Sequence, residues 1–163
     1  MPDADLPTRQ RVYHDVPHWV ADGSPFFITI NCAERGREQL TLPETAAGLL
    51  GAARFYHDQL KWHLTFLLLM PDHFHAILSF PRDARMPDLF KHWKRYTARK
   101  LGISWQDGFF DHRLRNEQDE IAKHHYIRHN PVRKNLCAGP DDWPYQMRWT
   151  SEGLLIGGRI QNQ

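Results

Sequence analysis

Two residue sets in this chain have the types and spacing to do chemistry: the pair His73 and His75, and Tyr126 with Asn130 four residues later. Alternate side chains of a strand share a face, so a strand through His73-Phe74-His75 would aim both imidazoles one way and Phe74 the other. Two imidazoles one pleat apart can ligate a single divalent metal. The chain holds 11 histidines, so an ordinary pair of core or surface rings has the same signature. Zinc takes three or four N or S ligands. Cys32 and Cys137, the two cysteines, are remote in sequence from the pair and from each other. A metal at His73 and His75 would therefore be completed by oxygen ligands.

Tyr126 and Asn130 would share a face of a helix at its final turn. A tyrosine of ordinary pKa, about 10, is phenolate in about one molecule per thousand at pH 7, so it is a nucleophile only when activated. Lys123 and His129 lie three residues to either side of Tyr126, where positive charge would favour the phenolate. The alternative is a tyrosine packed in the core with its hydroxyl bonded. A third feature is the basic set Lys91, Lys94, Arg95, Arg99 and Lys100, interleaved with Trp93 and Tyr96. It could follow a phosphate backbone while aromatics stack on bases, or it could be a solvated helix face.

The elements that would hold these residues follow from periodicity. Phe26 to Asn31 is aromatic and β-branched, which predicts a strand. Pro43 to Trp62 has a helical apolar period with proline near its first turn. His63 to Met70 and His73 to Phe80 read as a hairpin turned at Pro71-Asp72. Pro87 to Leu101 is a second helix with Phe90, Trp93, Thr97 and Leu101 on one stripe and Gly102 as its stop. Phe109 and Phe110 could begin a strand. Glu117 to His129 is a third helix, which Asn130-Pro131 should end or sharply kink. This order suits an α+β fold of the ferredoxin-like type, an antiparallel sheet with two helices on one face and a helix carrying the candidate tyrosine. The division is an N-terminal arm (1–24), a domain (25–150) and a C-terminal tail (151–163).

The 163 residues suit one domain with a real core. An apolar fraction of 41% and a charged fraction of 25% argue against disorder, collagen and coiled coil. The longest apolar run, Leu64 to Met70, is interrupted by Thr65 and is far too short to span a membrane. Met1 to Gln10 is polar and lacks the apolar core of a signal peptide. With two isolated cysteines, this points to a reducing cytoplasm. A net charge of +2 is by itself a weak pointer to a polyanion.

Four blocks occur together in one order. Pro17-His18-Trp19 precedes Phe26-Phe27-Ile28-Thr29, and Met70-Pro71-Asp72 precedes His73-Phe74-His75. Trp105-Gln106 is followed by Gly108-Phe109-Phe110-Asp111-His112 and Arg115, and Tyr126-Ile127 by Asn130-Pro131-Val132-Arg133. The histidine block resembles the His-hydrophobic-His motif of HUH nucleases. The set resembles REP-associated tyrosine transposases, domesticated relatives of the transposases of small single-stranded insertion sequences. The resemblance implies a ferredoxin-like catalytic domain that binds repetitive extragenic palindromes folded as single-stranded DNA hairpins. It implies Mg²⁺- or Mn²⁺-dependent cleavage and rejoining through a 5′-phosphotyrosine. Carried over by position, His73, His75 and Asn130 are metal ligands and Tyr126 is the nucleophile. Arg9 and Arg11 of the arm, the basic set of the second helix and Arg133 are the expected DNA contacts.

The family often has glycine where this chain has Asn135, and asparagine also tolerates the left-handed conformation. A bacterial, nucleoid-associated protein is implied, monomeric in this branch although insertion-sequence relatives are dimers. Two other readings compete: a non-catalytic binder of DNA or RNA hairpins, and a hydrolytic metalloenzyme using the histidine pair with Asp111.

Overall fold

The computed structural model describes residues 23–157 and 159–160. The order is β1 (Pro25–Asn31), α1 (Pro43–Asp58), β2 (His63–Leu69), β3 (His73–Ser79), α2 (Met86–Leu101), β4 (Phe110–Arg113) and α3 (Glu117–Arg133). A 3-10 turn (Pro140–Asp142) leads to β5 (Gln146–Thr150), β6 (Gly153–Ile156) and β7 (Arg159–Ile160). The strands form one sheet, β4-β1-β3-β2-β5-β6-β7, with all neighbours antiparallel. Its first four strands and two helices are the expected ferredoxin-like sandwich. The short runs of β5 to β7, unread in the sequence, extend that sheet beyond β2.

The central strands are buried on both faces, so they read as continuous apolar runs rather than alternating ones. Phe26, Ile28, Ile30, Phe74, Ala76 and Leu78 face one core, shared with α1 and α2. Phe27, Ile77 and Ile127 of α3 belong to a second core on the other face. In β2 a bulge between Leu64 and Phe66 shifts the parity. Leu64 and Leu67 therefore share the first face, while Phe66 and Leu68 take the second.

Helix α1 stops at Asp58, four residues short of the expected Trp62. Leu60 takes a left-handed φ of 56°. The amides of Leu60 and Lys61 then bond back to the carbonyls of His57 and Tyr56, which closes the helix as a Schellman turn. Buried Trp62 instead donates its indole N–H to the Ala53 carbonyl.

Helix α3 corrects the expectation at Asn130-Pro131. It does not end there but continues to Arg133, with both residues buried. A proline costs an interior helix one amide donor and crowds the preceding turn. Burial of this pair and the closing turn offset that cost. Asn135 adopts φ 57°. The amides of Asn135 and Leu136 bond to Val132 and Pro131, a second Schellman turn. The helix thus ends where asparagine supplies the left-handed residue. At its start, the Asn116 side chain accepts from the Asp119 amide.

Candidate active site

The site lies on the α3 face of the sheet. Register places Thr29 opposite His75 and Asn31 opposite His73, so β1 and β3 present these four side chains to one side. His73 Nδ1 meets Asp72 Oδ1 at 2.7 Å. Because that acceptor is a carboxylate, Nδ1 is the donor, and Nε2 is the ring nitrogen left for another partner. His75 Nδ1 pairs with Thr29 Oγ1 at 2.8 Å, and its ring stacks on Phe27. The two imidazoles meet edge to face, 4.8 Å apart.

Tyr126 arrives from α3. Its ring lies 6.0 Å from that of His75 and 6.3 Å from that of Phe27. Two cations flank it. Lys123 Nζ sits 5.3 Å from the Tyr126 ring and 4.5 Å from the Phe27 ring. The Arg133 guanidinium lies 4.5 Å from the Tyr126 ring and donates to the Tyr126 carbonyl at 3.0 Å. Asn130, one turn on from Tyr126, is buried on the same helical face.

Electrostatics follow from packing. Burial, then neighbouring His73 and the charges of Lys123, Arg133 and Arg35, hold His75 well below the usual histidine range. It is a neutral imidazole, the form that ligates metals. Burial alone would raise Asp72. Bonds from His73 and the Gly36 amide, with the charges of His73 and Arg35, instead hold its carboxyl well below the ordinary carboxylate range.

These shifts fix a pH response. Burial also lowers His124. Below pH 6.5 the unfolded chain protonates rings that the folded chain keeps neutral, so stability is full above that pH and falls beneath it. One ring that stays neutral costs about 1.4 kcal/mol per pH unit. Melting in chelator should show Tm about 3–5 °C lower at pH 5.5 than at 7.5. A flat profile over that range would contradict neutral burial.

Not every expected residue reaches the site. His129 stacks on His125 at 4.1 Å and its Nδ1 meets the His125 carbonyl, so its ring is given to His125 rather than to Tyr126. Arg133 takes that place, through an i, i+7 spacing two helical turns long. Lys94 is not part of an open basic face. Its ammonium donates to the carbonyls of Gln106 and Gly108 at 2.6 and 2.9 Å, tying the 102–109 loop to α2. Lys91, Arg95, Arg99 and Lys100 are exposed, but α2 packs on the opposite face of the sheet from Tyr126. Arg9, Arg11 and the Pro17-His18-Trp19 block lie outside the described residues. Asp111 pairs in register with Ile28, on the face turned away from the histidine pair.

The roles of Thr29 and Phe27 could not be found from spacing, because register alone joins them to His75. Asp72 next to His73 was legible as a sequence neighbour, though its bond was not.

The histidine pair fits a divalent metal. Each Nδ1 is held by an oxygen, which fixes the rings and leaves Nε2 to ligate. Among the described residues no three His, Cys, Asp or Glu side chains are placed to hold a metal ion together. A third protein donor would therefore be a neutral oxygen such as the Asn130 carboxamide, a set closer to Mg²⁺ or Mn²⁺ than to structural zinc. Asp72→Asn, which keeps the shape and weakens the hold on His73, should lower Mn²⁺ affinity about 10–100-fold. Calorimetric titration of Mn²⁺ checks this, and unchanged affinity would remove Asp72 from the site.

Over 128 residues the chain is 27% identical to a REP-associated tyrosine transposase of Escherichia coli (strain K12), covering 76% of this chain and 75% of that protein. Across about three quarters of its length the chain is thus similar to a REP-associated tyrosine transposase. A relative from Haemophilus influenzae carrying the same family name is 26% identical over 146 residues, 76% of this chain and 78% of that one. A solved REP-associated tyrosine transposase, bound to a REP hairpin, superposes with a TM-score of 0.68 at 24% identity, over 85% of this chain and 80% of that chain. That likeness establishes the shared fold. No family model matches the chain. Among the described residues no helix is long and apolar enough to cross a membrane.

Proposed function

We propose that this protein is a tyrosine transposase that cleaves and rejoins single-stranded DNA beside repetitive extragenic palindrome hairpins, with Tyr126 as nucleophile. The observation that carries the reading is the Tyr126 ring 6.0 Å from that of His75, which joins a helix-borne hydroxyl to a strand-borne histidine pair. The hairpin named with the solved relative supports the substrate class.

His73, His75 and Asn130 would hold Mg²⁺ or Mn²⁺. When bound, that ion supplies Lewis-acid polarisation of the scissile phosphate. Tyr126 Oη forms a new bond to phosphorus as the bond to the 3′ oxygen breaks. The tyrosine proton leaves to solvent or base, and the departing oxygen becomes a 3′-hydroxyl. The phosphodiester energy is kept in the 5′-phosphotyrosine, so a second 3′-hydroxyl can displace Tyr126 without ATP. Lys123 and Arg133 place positive charge beside the tyrosine, where phosphate charge accumulates. The face of Asp111 disfavours a hydrolase built on it with the histidine pair.

The test uses a labelled single-stranded hairpin from the organism's own repeats, incubated with protein and Mn²⁺ and run on a denaturing protein gel. A shifted band that chelator removes is expected. Tight binding in a native gel with no shifted band would instead make the protein a hairpin binder.

A further inference from the structure

Among the described residues, four exposed phenylalanine and tyrosine side chains divide between the two sides of the sheet. Phe55 and Tyr96 lie on α1 and α2, behind it. Phe110 and Tyr126 lie on the site face. Phe110 pairs in register with Thr29, the residue that holds His75. Although it begins edge strand β4, Phe110 remains 40% exposed. Its ring meets Phe27 edge to face at 6.2 Å. Phe27 in turn touches His75, Tyr126 and the Lys123 ammonium. One side chain therefore separates an open aromatic ring from the nucleophile, the histidine pair and a cation.

A base stacks on such a ring whatever its sequence, and the cation beside the shelf suits its phosphate. We propose that Phe110 is the stacking platform for the nucleobase next to the scissile phosphate, so that the single strand crosses the sheet at the β4 edge. This rests on the proposed function and deepens it. It assigns substrate contact to a strand rather than to the basic helix α2, which stands on the other face. The competing role for Phe110 is simple cover for Phe27, which any apolar side chain of similar size would supply.

The test uses the full chain and a repeat hairpin with single-stranded flanks, carrying 2-aminopurine at one flank position at a time. In the wild type one position should be quenched on binding, and mapping of the covalent adduct should place it beside the cut. Phe110→Leu keeps the cover but lacks the stacking face, and Phe110→Trp keeps both. Phe110→Leu and Phe110→Ala should lose the quench and bind the flank at least about tenfold more weakly. Phe110→Trp should retain both signals, and binding to the stem alone should be unchanged in all three. A quench that survives in Phe110→Leu or Phe110→Ala overturns the platform. So does a wild type that forms the adduct yet quenches no flank position. A wild type that forms no adduct overturns the functional reading, and a base beside a cut falls with it.

Discussion

Tyr126→Phe should bind hairpin DNA as the wild type does and form no covalent adduct. Every contact described for Tyr126 is made by its ring or its backbone carbonyl. Phenylalanine keeps the edge contacts to Phe27 and His75, the Lys123 and Arg133 cations over the ring, and the bond from Arg133 to the carbonyl. The side chain is 44% exposed, so losing one hydroxyl should change stability by no more than about 0.5 kcal/mol. The substitution therefore removes the hydroxyl proposed as the nucleophile and little else. Native and denaturing gels on the same labelled hairpin separate binding from covalent capture. A denaturing-resistant band that persists in Tyr126→Phe would end the assignment of Tyr126.

His75→Ala should fail twice, as a ligand and as a core residue. His75 is 5% exposed, bonded to Thr29, stacked on Phe27 and in edge contact with His73 and Tyr126. Alanine leaves a cavity and a stranded Thr29 hydroxyl, together worth about 2–4 kcal/mol. Tm should fall by about 4 °C or more. Mn²⁺ affinity should fall at least about 100-fold, since one of two imidazole donors is gone. His73→Ala separates the two effects. His73 is less buried and sits at the strand end, so its removal should cost similar metal affinity with a smaller loss of Tm. Manganese binding followed by electron paramagnetic resonance, beside thermal melts, reads both. Retained Mn²⁺ affinity in folded His75→Ala would place the metal elsewhere.

Much of this protein was legible in its residues because local rules decided it. A two-residue strand period put His73 and His75 on one face and Phe74, Ala76 and Leu78 on the other. A four-residue helical step put Tyr126 and Asn130 together. Gly102 and Asn135 take the left-handed conformations that their types allow. Where sequence reasoning failed, a local preference met a larger force. Pro131 should have ended or kinked α3, but the helix continues through the buried Asn130-Pro131 pair to Arg133. Leu60, a poor left-handed residue, ends α1 because the chain must turn into β2.

What remained could be decided only by tertiary structure, because it depends on which residues distant in sequence lie opposite one another. Register alone joins Thr29 to His75 and turns Asp111 away from it. Sheet topology sets the basic face of α2 behind the site and leaves Phe110 open at its edge. Burial makes His75 neutral, and packing gives Tyr126 the Arg133 cation while His129 turns to His125. Spacing along a chain determines the face that a side chain shares with its near neighbours. The partner across that face is set by pairing and packing, and in this protein those partners make two histidines and a tyrosine into one site.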